Sequence, residues 1–421
     1  MQPKKPVSEA DLFRSRLDQI IDMNRPLAIL ADTIDWIVFE EKFGSLYTEK
    51  RGRPGLPIRL MVGLTYLCRI YDLSDDAVVE MWLDNPYWQY FCGYDYFQHT
   101  FPLDPSSLVR WRKRIGEAGI EFLLANTLQV AQDSGKLTRR HLEKVNVDTT
   151  VQEKNVRFPT DARLYHRMLE HLVKTAHRLN IPLRQSYVRV SKKALQKQSQ
   201  YARANQFKRA RKQTKKLKTM LGRVVRDIRR KADPVVLEKL RELLVKADRL
   251  LAQQRHDKNK LYSIHEPDVE CIAKGKAHKK YEFGCKASIV SSSRDNWIVG
   301  AMAFHGNPYD GHTLSETLDQ VKRLCNFPVQ EVFADKGYRG HGYTGESKIH
   351  VVDHRRKTLT RTEKKWRKRR SAIEPIIGHL KSDHRLSRNF LKGKDGDKMN
   401  VLLAACGWNL RKLMQVLLGL F

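Results

Sequence analysis

Carboxylates are scarce in this chain. Its 421 residues hold 47 Asp and Glu against 79 Lys and Arg, a formal charge of +32. That imbalance argues for a polyanionic partner, because each phosphate contact releases condensed counterions and strengthens binding. Cysteine is sparse too. Cys68, Cys92, Cys271, Cys285, Cys325 and Cys406 are scattered with no C-x-x-C pair. Neither a disulfide framework nor a zinc site is expected, and the six read as buried thiols of a reducing compartment. Long apolar runs are missing. The most apolar stretch, NVLLAACGWNLRKLMQVLLGLF (400–421), is interrupted by Arg411 and Lys412. Its Leu402, Ala405, Cys406, Leu413, Val416, Leu417 and Leu420 recur at helical spacing, so a packed terminal helix is expected rather than a membrane span. The opening MQPKKPVSEADLF has no apolar core, so no secretory signal is expected. No internal repeat or long linker appears.

What is present is enough apolar material (41%) for a globular protein of two or three domains. The first ~140 residues read as helical. Leu60, Leu64 and Leu67 share a stripe, Ser74 with Asp75 and Asp76 signals a helix start, and Asn85-Pro86 marks a break. In DPSSLVRWRKRIG (104–116) Asp104 is the expected N-cap, Pro105 the first helical residue and Gly116 the stop. Leu108, Trp111 and Ile115 form an apolar back, and Arg110, Arg112, Lys113 and Arg114 a basic front that suits a DNA groove. A solvated face on a structural helix fits the same spacing, and the charge of the whole chain favours DNA.

EKVNVDTTVQEKN (143–155) reads as a strand with Val145 and Val147 on one face, ending on Asp148. An unpaired acid there is costly to desolvate, so a cation is expected beside it. Residues 162–255 read as a helical insert, a hairpin of long helices. The stretch from Ser186 to Lys231 is its cationic arm, with Asp227 the one acid of KRARKQTKKLKTMLGRVVRDIRRK (208–231). Lys208, Arg209, Arg211 and Lys212 are candidate DNA contacts. The period then changes to two strands over 281–308, a helix over 312–325, and a strand over 329–340 that ends on Asp335. RTEKKWRKRRSAIEPIIGHLK (361–381) reads as a basic helix carrying Glu374. His265, His278, His305, His312 and Asp310 lie near these motifs and read as surface or hydrogen-bonded residues. Trp297 and Trp408 read as core.

Two strands ending on Asp and a later helix bearing Glu, in this order, are what a ribonuclease-H-like mixed sheet would give. Three clustered carboxylates repel one another unless cations separate them. They make sense if two magnesium ions, about 3.5–4 Å apart, occupy the gap and clamp a phosphodiester displacement. Each acid taken alone is more commonly a turn, cap or surface residue. The combination carries the reading.

The same segments carry a family resemblance. VNVDTTVQEK, VFADKGYRG and RRSAIEPIIGHLKSDHRLSRNFLKG resemble the first-Asp, second-Asp and Glu segments of insertion-sequence transposases of the DDE class. The group is the one numbered five, close to the broad four/five assemblage. HEPDVECIAKGKAHKKYEFGCKASIV, GNPYDGHTL and the helical stretch 56–93 are similar to its other parts. The wider family's Tyr-Arg-Glu-Lys signature is matched at Arg370, Glu374 and Lys381. The tyrosine position holds Arg367, with Trp366 beside it, so the tyrosine's role is not carried over. Pro375 disfavours a continuous helix through Glu374.

The resemblance implies an α/β ribonuclease-H-like catalytic domain over 141–399, with its basic helical insert at about 162–260. A helical DNA-binding domain over 1–140 would precede it, and a helix over 400–421 would pack on the core. It also implies Asp148, Asp335 and Glu374 as catalytic ligands of Mg2+ or Mn2+, with Arg370 and Lys381 meeting phosphate. The activity implied is binding terminal inverted repeats of double-stranded DNA, cleaving element ends and joining 3′ ends to a target. A homodimer on DNA and a bacterial cytoplasmic location are implied, without a membrane partner. The alternatives are a nuclease that does not join and an inactive DNA-binding relative.

Overall fold

The structure, a computed structural model, describes residues 15–47, 54–102, 104–273, 280–351 and 360–419. It divides into two compact units, one formed by residues 1–153 with 285–421 and the other by residues 154–284. Among the described residues no helix is long and apolar enough to cross a membrane.

The first unit opens with helices α1 (Leu17–Ile20), α2 (Pro26–Thr33), α3 (Ile37–Gly44), α4 (Ile58–Ile70), α5 (Asp75–Asp84), α6 (Pro86–Phe91), α7 (Ser106–Asp133) and α8 (Arg139–Leu142). Every residue of α4 except Arg59 is buried, as expected of a helix that is apolar all round. Local cap chemistry sets the boundaries. Ser74 accepts from the Ala77 N–H at 3.1 Å, and Asn85 ends α5 and starts α6 by accepting from the Trp88 N–H at 3.2 Å.

At 104–116 the expectation holds in part. Leu108, Trp111 and Ile115 are buried, with the Trp111 ring edge-on to Phe43 at 5.3 Å. The helix starts one residue later than expected, at Ser106, whose N–H bonds Asp104 Oδ1 at 2.9 Å. Gly116, at φ 62°, kinks the chain without ending it, and helix resumes to Asp133.

Strand β1 (Lys144–Glu153) follows. Its Val145 and Val147 are fully buried, but so are Asn146 and Gln152 on the other face. Covered on both sides, the strand satisfies its polar face internally. Asn146 Oδ1 accepts from Ser293 Oγ at 2.8 Å, and its amide donates to the Arg369 carbonyl at 3.3 Å.

The second unit holds α9 (Asp161–Arg178), α10 (Val188–Arg203), α11 (Phe207–Lys231), α12 (Pro234–Ala252) and strand β2 (Glu270–Ala273). Met168, Leu172, Leu217, Leu221, Val224 and Leu244 belong to a core of its own. The expected hairpin is therefore four helices. The basic stretch is broken at 204–206, where Asn205 takes φ 55°. Asp227 is turned inward, accepts from the Arg184 N–H at 2.7 Å and pairs with Lys231 and Arg230.

The chain continues through β3 (Tyr281–Ser292), β4 (Ile298–Phe304), a 3-10 turn at Asp310–Thr313, and α13 (Leu314–Cys325). It then forms β5 (Glu331–Ala334), a 3-10 turn at Lys336–Tyr338, β6 (Lys348–Val351), α14 (Arg361–Arg370), α15 (Ile373–Asp383) and α16 (Gly393–Leu417). The result is a mixed α/β protein. The sheet order is β2-β3-β1-β5-β6, with β4 also paired to β3. β1, β5 and β6 run parallel, and β3 and β4 antiparallel. The terminal helix α16 begins at Gly393 and joins the N-terminal helices to the sheet. Its Asn409 accepts from the Ile298 N–H and donates to the Ile298 carbonyl and Thr127 Oγ1. Trp297 is core, whereas Trp408 is half-buried and donates to the Asn296 carbonyl.

Candidate active site

The parallel register of β1 and β5 pairs Lys144 with Glu331, Val145 with Val332 and Asn146 with Phe333. Continued two residues, it sets Asp148 opposite Asp335, on neighbouring strands that point the same way. Asp148 Oδ1 accepts from the Thr149 N–H at 2.7 Å. Asp335 starts the 3-10 turn, its Oδ1 accepting from the Gly337 N–H at 2.8 Å. It is therefore a turn cap and a site acid together.

The third acid arrives by a break in the basic helix. α14 stops at Arg370 and α15 starts at Ile373, so Pro375 falls in the first turn of a new helix, where its missing N–H costs nothing. Glu374 nonetheless reaches back to Arg370, whose Nη1 donates to Glu374 Oε1 at 3.2 Å. Arg370 Nη2 lies 3.1 Å from Asp148 Oδ2 and 3.7 Å from Asp335 Oδ2. One guanidinium thus touches all three carboxylates. Side-chain exposure rises from Asp148 (18%) to Asp335 (39%) to Glu374 (64%), so the cluster opens from the sheet toward solvent. Arg370 itself is only 8% exposed. It is the counter-ion of the acids in this structure.

A fourth carboxylate stands beside the three. Asp310 Oδ1 accepts from Thr149 Oγ1 at 2.9 Å and from Lys286 Nζ at 2.7 Å. A Cβ at Gly337 would lie 2.9 Å from both Asp310 Oδ2 and Asp335 Oδ1, so a side chain there would push these carboxylates from their present positions. Tyr338 is fully buried. Its hydroxyl pKa is driven well above the usual value by burial first, then by the charges of Asp148, Asp310 and Asp335. In the sequence alone Asp310 reads as a surface or hydrogen-bonded residue. Its position in GNPYDGHTL was the one available signal.

Carboxylate oxygens from separate segments, with no thiol or imidazole among them, are the donor set of a hard divalent cation. That a guanidinium already sits among them shows that the cluster accommodates a positive charge.

The other expected residues are spread more widely. Lys381 is half-buried, about two turns along α15 from Glu374. Arg110, Lys113 and Arg114 are exposed on α7, with Arg114 over the Tyr47 ring. Arg112 is not on that face: it is buried and forms a two-bond pair with Asp75, which removes it from the basic front. Lys208, Arg209, Arg211 and Lys212 are all exposed on α11, and none forms an ion pair among the described residues. Trp366 packs on Phe333 at 5.7 Å beneath Lys144, leaving no open ring for stacking. His278 lies outside the described residues. His265 contacts Ser263, and the His312 ring meets Tyr309.

Comparison with known proteins adds family evidence. Residues 15–114 match the family model described as Transposase domain (DUF772), and residues 253–410 match Transposase DDE domain. Asp335 and Glu374 fall within the second match, and Asp148 lies outside both. A curated protein of Rhizobium meliloti, "Uncharacterized protein ORF8 in nfe locus", is 50% identical over 208 residues, 49% of this chain and 100% of that protein. No solved structure matches.

Proposed function

Since the chain belongs to the DDE transposase family, we propose that it cuts the ends of a mobile DNA element and joins the freed 3′ ends to target DNA. Asp148, Asp335 and Glu374 are the catalytic acids of this reading. The observation that carries it is the convergence of all three on the Arg370 guanidinium. The sheet order supports a ribonuclease-H-like core, with β1 between the β3–β4 hairpin and the parallel pair β5–β6; assignment to the insertion-sequence five group rests on the sequence motifs.

Magnesium or manganese held by these carboxylates would activate the attacking water or 3′-hydroxyl and stabilise the departing oxygen. The chain's own contribution is placement. Asp148 is fixed by its bond from the Thr149 N–H, Asp335 by its bond from the Gly337 N–H, and Glu374 stands at the open side, toward the substrate. Arg370 keeps the acids together by compensating their charge. Arg110, Lys113 and Arg114 on α7, Lys208, Arg209, Arg211 and Lys212 on α11, and Lys381 on α15 grip phosphate, with affinity falling steeply as salt rises. Two ends must be held at once, so the working complex is a homodimer on DNA, in the cytoplasm of a bacterium.

The test uses the full chain, uncleaved and precleaved element ends and a target duplex with Mg2+ or Mn2+. Joined products are expected. Each of Asp148→Asn, Asp335→Asn and Glu374→Gln should lower joining about a hundredfold or more while end binding persists. Cleavage without joining in the wild type would favour a nuclease instead. Binding without either reaction would sink the enzyme reading.

A further inference from the structure

Away from the acids around Arg370, three side chains from distant segments meet with a different chemistry. Cys285 on β3, His305 just past the end of β4 and Asp397 in α16 each present a donor atom, and the three atoms lie within 4.8 Å of one another. Gln152, whose amide touches this group, is four residues beyond Asp148 on the same face of β1, about 13 Å along the strand. An ion there is not shared with the catalytic acids.

We propose that Cys285, His305 and Asp397 form a zinc site that ties β3, the end of β4 and α16 together. Spacing is the first argument. His305 Nε2 and Asp397 Oδ2 are 3.8 Å apart, beyond hydrogen-bonding distance. Nitrogen and oxygen donors about 2.0–2.2 Å from a tetrahedral zinc stand about 3.3–3.6 Å from one another, so a closure of a few tenths of an ångström brings this pair onto one ion.

Donor type is the second argument. One sulfur, one imidazole nitrogen and one carboxylate oxygen suit zinc, and exclude magnesium or calcium as the preferred occupant. The third is the surrounding scaffold. Gln152 Nε2 donates to Cys285 Sγ at 3.3 Å and to the Asp397 carbonyl at 3.0 Å, and Asn400 holds the other end of that amide at 2.7 Å. Asn389 Nδ2 donates to Asp397 Oδ1 at 2.7 Å, which leaves Oδ2 turned toward His305. Metal ligands are characteristically steadied by outer hydrogen bonds of this kind. Water completes the fourth position. The absence of a C-x-x-C pair hid the site, because its ligands come from three elements and no two are near in sequence.

The experiment uses the full-length chain, stripped with a chelator and titrated with Co2+. One equivalent should give the near-ultraviolet thiolate-to-cobalt charge-transfer band, which Zn2+ then abolishes. The band should be lost in Cys285→Ser and in His305→Ala and kept in Asp148→Asn. Zinc should also raise the melting temperature of the wild type and of Asp148→Asn. Absence of the band from the wild type would overturn the site without reference to any variant's folding. Its survival in Cys285→Ser, or its loss in Asp148→Asn, would overturn the assignment.

Discussion

Arg370 and Asp148 are 222 positions apart in the chain, yet Nη2 and Oδ2 meet at 3.1 Å, and the same guanidinium reaches Asp335 and Glu374. The opening strand's acid has found a cation, and it is one that the chain supplies. A divalent ion bound among the three acids competes with that guanidinium for their charge. Arg370→Gln should therefore destabilise the metal-free protein by about 1–2 kcal/mol, a modest figure because Glu374 is largely exposed and its pair is screened. The loss should be recovered on adding Mg2+, so the Mg2+-induced rise in melting temperature should be larger in the variant than in the wild type. Equal rises would show that Arg370 and the metal do not share the acids.

Asp310 and Lys286 form the neighbouring pair, linked to Asp148 through Thr149, whose hydroxyl bonds Asp310 and whose N–H bonds Asp148. Its bonds to Thr149 and Lys286 place Asp310 to act as a positioning residue for the three acids. Asp310→Asn keeps the shape but releases the Lys286 charge beside the cluster. It should raise the Mg2+ concentration needed for half-maximal cleavage about 10- to 100-fold, the usual cost of losing an outer support of a metal site. Saturating Mg2+ should restore most of the rate. A loss of rate that Mg2+ cannot restore would point to a purely structural role.

Two adjacent residues of α7 should separate stability from DNA binding. Arg112 is buried against Asp75, which sits in the first turn of α5. Arg112→Ala should cost about 2–3 kcal/mol, below the value for a fully buried pair because Asp75 is 26% exposed. Lys113→Ala should leave the unfolding midpoint nearly unchanged and reduce the slope of log affinity against log salt by about one, the loss of a single phosphate contact. The same signature is expected for Lys208, Arg211 and Lys212. Urea unfolding and filter binding across a salt series read the two effects.

Which features were legible in the sequence follows from how local their causes are. The caps at Ser74 and Asn85 were readable because the bond each makes closes within three residues. The strand acids were readable because alternation and a following turn are written in consecutive letters. Arg112 was misplaced because its partner is on another helix, which no helical wheel contains. The split of the basic helix at Ser371–Ala372 was half visible in Pro375. That Arg370 turns back onto the acids depends on β1 and β5 lying side by side. Asp310 and the Cys285, His305 and Asp397 group were illegible for the same reason: each is assembled by the sheet from segments with no shared spacing.

His384 gives a prediction about pH. It is buried between α15 and α16, its Nδ1–H donating to the Arg69 carbonyl at 2.7 Å, and burial pushes its pKa down to about 4 from an ordinary 6.5. The unfolded chain therefore takes up this proton near pH 6.5 while the folded chain resists until about pH 4. Between those values the unfolded state binds more protons, so stability falls as pH falls, by up to about 3 kcal/mol at this residue. Above pH 6.5 the imidazole is neutral in both states and contributes no slope. His384→Gln keeps an amide donor for the Arg69 carbonyl but cannot titrate. Urea unfolding of both proteins at pH 7, 5.5 and 4 should show the wild type losing about 3 kcal/mol more than the variant over that span. Parallel curves would mean that the imidazole is protonated as easily in the folded protein as in the unfolded one, and that the contact with Arg69 does not select the neutral ring.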